Sequence, residues 1–335
     1  MIKIIATVLA LALGAAGCRP KEEAGYVQKT FIMNVPALIK VYGANEAAGK
    51  ALADEVFAEW NRISSEFSYS DPYSLTSLVN KKAYGEWVKV DEEFLRLLML
   101  ALDYYRITDG AFDVTFAPLW PLWKEAASTR KMPAKEDIRK ALADIGSDAI
   151  QVDVVRKMVR FTKPVQVNLG GLLRGYCFER TYKMLKAKAP PYPVEMRLGG
   201  NMLVYGERNW EYGVMDPHSR NKRKGALWFR EGIVTSSSGR DIFVEIEGRM
   251  YSHILNLKTG YPIENFSNLT VYFPGIESNN FMASAVLAVM GRDKAFKLLG
   301  GMKGVTAVWV DGVGQLSVFA NAASQARWEE EKGLF

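Results

Sequence analysis

The amino-acid sequence predicts an α+β fold, with helices packed on an antiparallel-rich mixed sheet. Three observations favour this class. Apolar residues recur on one face from Ala48 to Trp60, behind Asn45 as a helix cap. Apolar and polar residues alternate in Asp241–Glu247 before Gly248, which is typical of a strand entering a hairpin turn. Near the end of the chain, two apolar runs flank Asp311-Gly312 and predict a closing hairpin.

The remaining elements follow from the same signals in chain order. Asp91 is a strong helix cap, because a long apolar stretch follows it. Hydroxyl residues around Asp71-Pro72 predict a polar loop over 64–80. Predicted helices cover 45–64, 92–107, 133–145, 170–188, 278–290 and 293–299. Predicted strands lie in 30–42, 149–161, 165–169, 195–206, 210–217, 233–262, 269–273, 305–310 and 315–319.

The first 18 residues differ in composition from the rest of the chain. A single Lys3 precedes a small and apolar run that is too short for an ordinary membrane span and is typical of an export signal. The run ends in Ala15-Ala16-Gly17-Cys18, which resembles a bacterial lipobox; an ordinary signal peptide cut nearby is the alternative. We therefore expect a signal at 1–18, a tether at 19–29, one domain at 30–322 and a tail at 323–335.

Composition restricts the function classes. The 335 residues are 49% apolar and 24% charged, as in a globular protein. The net charge of +6 suits an anionic ligand or an anionic membrane surface. The sequence shows no zinc-finger, basic-zipper or RNA-binding signature, so nucleic acid is not an expected partner. If Cys18 carries a lipid, Cys177 has no disulfide partner.

A run of hydroxyl side chains forms the first candidate site. Thr235 to Ser238 end a predicted strand just before Gly239. Hydroxyls and backbone N–H groups at a strand end are suited to holding a phosphate. His253, one of two histidines in the chain, follows on the third strand of the same stretch. The alternative interpretation is a polar hairpin with an incidental histidine.

A strand–glycine–helix junction forms the second candidate site. Gly170-Gly171 lets a ligand approach the backbone, and the helix that starts there favours anions. Arg174 lies one turn into this helix and could reach a phosphate, although a solvated arginine is the alternative interpretation. The glycine spacing matches neither a Walker loop nor the dinucleotide fingerprint.

Five stretches follow one another along the chain: TDGAFDVTFAPLWPLW (108–123), NLGGLLRGYCFE (168–179), RLGGNMLVYG (197–206), TSSSGRDIF (235–243) and YSHILNLKTGYP (251–262). Together and in this order, they resemble the ApbE family of FAD:protein FMN transferases over roughly 30–319. The resemblance implies an ApbE-like fold and a reaction that cleaves FAD, attaches FMN to a Thr or Ser of an acceptor protein and releases AMP. It also implies Mg²⁺, and an acceptor that is an exported or membrane protein.

The resemblance assigns roles to particular residues. It gives His253 a phosphate contact or an acid–base role. The residues that it places against FAD are Ser68, Tyr69, Asn80, Asp113, Arg174, Glu179, Thr235 and Ser236.

The metal site departs from the family pattern, which has an Asp and, four residues later, a Thr. A gapless alignment places Phe281 and Ala285 there, and a shift of one residue places Asn280 and Ser284. Neither pair contains a carboxylate, although Mg²⁺ prefers one or two. Asn168, Asn201 and Asn256 also stand where the family has Asp. The chain is therefore expected to be a divergent transferase. The alternative is a weakened relative that binds flavin or a partner protein without turnover. A third hypothesis, outside the family, is a plain binding lipoprotein.

Overall fold

A computed structural model describes residues 25–219, 222–239, 243–276 and 284–331. The helices are α1 (Glu46–Glu66), α2 (Leu75–Lys82), α3 (Glu92–Ile107), α4 (Leu119–Thr129), α5 (Lys135–Ala143), α6 (Gly170–Lys188), α7 (Ser284–Met290) and α8 (Arg292–Gly300). The strands of the first half are β1 (Gly25–Ile32), β2 (Val35–Tyr42), β3 (Val88–Lys89), β4 (Ile150–Asp153), β5 (Met158–Phe161), β6 (Val194–Leu198), β7 (Asn201–Tyr205), β8 (Trp210–Met215) and β9 (Arg223–Phe229). Those of the second half are β10 (Gly232–Ser238), β11 (Phe243–Ile246), β12 (Arg249–Ser252), β13 (Leu255–Asn256), β14 (Tyr261–Pro262), β15 (Phe266–Phe273), β16 (Thr306–Asp311), β17 (Leu316–Ala320) and β18 (Arg327–Glu330).

An eight-stranded sheet of order β1-β2-β6-β7-β10-β15-β16-β17 organises the fold. Every pairing between its neighbouring strands is antiparallel. Helices cover one face, where the rings of Trp60 on α1 and Phe178 on α6 lie 5.6 Å apart. The sheet β18-β9-β8 covers the other face, where Phe229 packs on Tyr272. This arrangement confirms the predicted α+β class.

A smaller apolar cluster lies beside the main core. It joins α4 and α5 to the β11–β12 and β13–β14 hairpins through Leu119, Trp123, Ile138 and Ile246. The indole N–H of Trp123 donates to the carbonyl of Gly260 over 2.8 Å. The cluster therefore fixes the segment that carries His253 against the segment that follows Asp113.

Several predicted elements are confirmed, and the caps explain why. Asn45 Oδ1 accepts a hydrogen bond from Ala48 N at the start of α1. Asp91 does the same for Phe94 N, and α3 spans Glu92–Ile107 as predicted. Both caps act within one turn of the chain, so the local sequence is sufficient to place them.

Two predicted elements were wrong. The polar loop over 64–80 contains α2, because the Ser74 hydroxyl accepts from Ser77 N and starts a helix. The expected strand over 165–169 does not form, because the backbone of Val167 bonds to a side chain instead of a neighbouring strand. His253 follows β12 directly and does not lie within it.

The boundaries of the domain also differ from the expectation. β1 begins at Gly25, inside the segment expected to be a tether, because its register with β2 extends to the Gly25–Tyr42 pair. β18 lies in the expected tail and pairs with β9. Within the described residues, no helix combines the length and the apolar character that a membrane crossing requires.

Candidate functional site

The turn between β6 and β7 brings Arg174 to one end of the main sheet. Gly199 in this turn has a φ of +60°, and a methyl group added to it would lie 3.1 Å from Arg174 Nη1. Burial lowers the pKa of the Arg174 guanidinium below its ordinary value. No carboxylate among the described residues pairs with it. A half-buried cation without a counter-ion favours an anionic ligand.

The hydroxyl run of β10 meets the same turn. β10 pairs with β7 only from Gly232 to Val234, whereas its pairing with β15 continues to Ser238. The end of β10 is therefore bonded on one side only. A methyl group added to Gly200 would lie 2.7 Å from the carbonyl oxygen of Ser236, so only glycine fits here. Arg174 and Ser236 thus flank the same two glycines.

The hydroxyls of this run differ in their partners. Thr235 is 5% exposed, and its hydroxyl has no hydrogen-bond partner in the described structure. Ser236 Oγ lies 2.8 Å from Thr270 Oγ1, and Ser237 Oγ lies 2.7 Å from Ser284 Oγ. A buried hydroxyl without a partner costs free energy, which a ligand oxygen could recover.

His253 lies next to the end of the hydroxyl run. Ser252, which precedes it, has its hydroxyl 3.5 Å from a methyl group added to Gly239. Gly239 directly follows Ser238 and donates to the carbonyl of Ser267. His253 is half-buried and has a contact within the protein. The structure thereby brings Arg174, Thr235, Ser236 and His253 along one sheet end, and the assigned role of His253 stays a prediction.

The 68–80 segment contacts the start of α6. Asn80 donates from Nδ2 to the carbonyl of Val167 and accepts from Val167 N, at 2.8 and 2.7 Å. The Tyr69 hydroxyl donates to Gln166 over 2.6 Å. Ser68 accepts from Asp71 N and stabilises its own loop. Asn80 and Tyr69 therefore fix the chain that enters α6, and their contact with FAD stays a prediction.

Asp113 is bonded to two neighbouring chain segments. It is buried, and its Oδ1 accepts from Thr115 N, Thr115 Oγ1 and Ser147 Oγ. Its Oδ2 accepts from Ser147 N over 3.0 Å. Asp113 therefore holds these two segments together, and its contact with FAD stays a prediction.

Glu179 is likewise committed to the protein. Its side chain is 2% exposed and forms ion pairs with Arg96 on α3 and Lys183 on α6. The carboxylate therefore fixes α6 against α3. Because Arg96 and Lys183 already neutralise Glu179, this carboxylate is not the counter-ion of Arg174, although both lie on α6.

The metal prediction finds little support among the described residues. Asn280 and Phe281 lie outside the described residues. Ser284 is 1% exposed with its hydroxyl against Ser237, and Ala285 on α7 has no ligating group in its side chain. Within the described ranges, no group of three or more His, Cys, Asp or Glu side chains could hold a metal. These residues do not fit the carboxylate-based site that Mg²⁺ prefers.

Sequence reasoning did not assign a role to several groups at this sheet end. Gly199 and Gly200 lie in the RLGGNMLVYG motif, but their contacts depend on the packing of α6, which carries Arg174, and on the pairing of β7 with β10, which carries Ser236. Ser237 was part of the hydroxyl run, and its contact with Ser284 joins elements 47 residues apart. The sequence signals that could have indicated these contacts are the hydroxyl run at 235–238 and the glycine pair at 199–200.

Comparisons with known proteins identify the family and the fold. The ApbE family model matches residues 33–309. The FAD:protein FMN transferase of Klebsiella pneumoniae is 26% identical over 242 residues, which cover 72% of this chain and 74% of that protein. The enzyme of the same name from Haemophilus influenzae is 24% identical over 316 residues, covering 89% and 90%.

Solved structures show the same fold. The crystal structure of the ApbE protein from Thermotoga maritima superposes with a TM-score of 0.78 at 24% identity, covering 89% of this chain and 97% of that chain. The flavin transferase ApbE from Vibrio cholerae gives a TM-score of 0.75 at 19% identity, covering 90% and 98%. The match of the family model over residues 33–309 shows that this chain belongs to the ApbE family.

Proposed function

We propose that this protein is an FAD:protein FMN transferase, which cleaves FAD, attaches FMN to a Thr or Ser hydroxyl of an acceptor protein and releases AMP. The relatives named above carry this activity in their names. The observation that carries the proposal is that Arg174 and Ser236 of the hydroxyl run lie against the same turn, Gly199-Gly200. A cation and a buried hydroxyl, both without protein partners among the described residues, suit a phosphate.

The proposed reaction is a transfer of the FMN phosphoryl group. The acceptor hydroxyl attacks the FMN phosphorus, and the bond to the bridging oxygen of the pyrophosphate breaks. AMP leaves with that oxygen, and the hydroxyl proton passes to a base, for which His253 is the candidate. Arg174 and Thr235 would stabilise the negative charge that spreads over the phosphoryl oxygens.

The metal requirement is a separate part of the proposal. When bound, Mg²⁺ would neutralise the charge of the pyrophosphate. Asn280 and Ser284, with backbone carbonyls, are the candidate ligands in this sequence, and the pyrophosphate of FAD is the other source of oxygens. Because no carboxylate belongs to this set, we expect Mg²⁺ to bind more weakly here than at a site with carboxylate ligands.

The second candidate function is flavin binding without turnover. The observation in its favour is the coordinated replacement of Asp by Asn at 168, 201 and 256, together with the missing metal carboxylate. The two functions differ in one product. A transferase releases AMP from FAD and leaves FMN on the acceptor, whereas a binding protein returns intact FAD.

We also propose that the protein is exported and anchored by a lipid on Cys18, facing the extracytoplasmic space, where its acceptor would lie. The support is the lipobox-like Ala15-Ala16-Gly17-Cys18 sequence. A Cys18→Ser variant should then move from the membrane fraction to the soluble fraction, since one lost acyl anchor removes the main membrane contact. A variant that stays with the membranes in fractionation would contradict the anchor.

A further inference from the structure

The residues of β12, which forms one edge of the β11–β12 hairpin, line a cavity. Among the described strands, β12 pairs only with β11. All residues of β12 (Arg249–Ser252) line a cavity of about 490 Å³. The opposite wall consists of 263–266 and of the Gly312-Val313 turn between β16 and β17. Half of the backbone groups of an edge strand point away from its partner and can bond another chain.

One end of this cavity reaches the candidate site. Gly239 and Ser252 both line it. Gly239 follows the hydroxyl run of β10, and Ser252 directly precedes His253. A chain lying along β12 therefore has one end beside the groups to which we assign the phosphoryl transfer.

The lining of the cavity suits a polypeptide. Met250 is 48% exposed and Val313 is 81% exposed, so apolar side chains stand on both walls. Arg249 and Glu264 add one charge of each sign, which leaves the lining without a strong net charge. In strand addition, main-chain hydrogen bonds provide affinity and alternate side chains provide selectivity. This lining provides a strand edge and apolar surface together.

We propose that the acceptor protein docks here as an extended segment, which adds a third strand to the β11–β12 hairpin and places its Thr or Ser hydroxyl at the Gly239–Ser252 end. This inference rests on the proposed function and deepens it by locating the acceptor. The occupant is the segment that carries the modified hydroxyl, and its backbone bonds to β12.

The first test compares two products of one reaction. The probe is a pool of short peptides with a fixed central Thr and randomised flanks, supplied with FAD; peptide-bound FMN and released AMP are both measured by mass spectrometry. Val313→Asp and Met250→Asp should lower the ratio of FMN transfer to AMP release by about tenfold or more, since a charge in the apolar wall opposes docking. Val155→Asp is the matched control, because Val155 lies 93% exposed in another hairpin turn and should leave both products unchanged.

The outcomes separate the docking from the chemistry. An unchanged ratio in both variants would overturn the docking site. An equal loss of FAD binding and AMP release would mean that the cavity binds FAD, and this would also overturn the docking site. If the wild-type chain releases no AMP, the transferase function is contradicted. The docking site is then tested separately by amide hydrogen exchange. Excess peptide pool should slow amide hydrogen exchange in Arg249–Ser252 relative to Ile150–Asp153, and unchanged exchange there would exclude strand addition.

Discussion

Replacing Arg174 by Met should lower the rate of AMP release from FAD by about 10²-fold or more, as for the loss of one donor to a transition-state oxyanion. Arg174 has no carboxylate partner among the described residues and lies beside Gly199. Its charge is therefore available to a phosphate. The same change should leave the melting temperature near that of the wild type, because no ion pair among the described residues is lost.

Arg174→Lys is the matched control for this result. We expect the Lys variant to keep most of the activity. Lys retains the charge and loses only the fork geometry of the guanidinium. A Met variant with wild-type FAD affinity and AMP release would remove Arg174 from the phosphate site.

Asp113→Ala should lower the free energy of unfolding by about 3 kcal/mol or more, because burial leaves the former donors without acceptors. Those donors are the backbone N–H groups and hydroxyls of Thr115 and Ser147. Thermal and urea unfolding of the variant measure this directly. A loss of FAD affinity is expected only to the extent that the fold is lost.

Asp109→Asn provides the control for Asp113, since both carboxylates lie in the same 108–123 motif. Asp109 is highly exposed and pairs with Lys258, so its removal should leave the melting temperature unchanged. If Asp113→Ala melts like the wild type but fails to bind FAD, the flavin contact implied by the family resemblance is restored, and the structural role is wrong.

Local signals predicted the elements that local contacts create. The Asn45 and Asp91 caps act on residues three positions away, and both helices begin where the sequence indicates. The hydroxyl run also ends β10 as predicted, because strand alternation and Gly239 are visible in the sequence. The role of this run at the candidate site stays a prediction.

Side-chain direction was not predictable in the same way. Asp113 bonds to Ser147, 34 positions away, and Glu179 pairs with Arg96, 83 positions away. Asn80 contacts Val167 across 87 positions and thereby prevents a predicted strand. A motif places such a residue near a site, but only the packing of distant helices decides whether it faces the ligand or the protein.

The measurement that tests the transferase most directly is titration of the purified chain from Arg19 onward with FAD, with and without Mg²⁺, followed by quantification of AMP. We predict that FAD binds and that AMP appears, with only a partial loss when Mg²⁺ is removed by a chelator, because we assign part of the phosphate binding to Arg174 and Thr235. FAD that binds but is recovered intact under both conditions would contradict the transferase, and would show a chain that keeps the flavin pocket of its family without the chemistry.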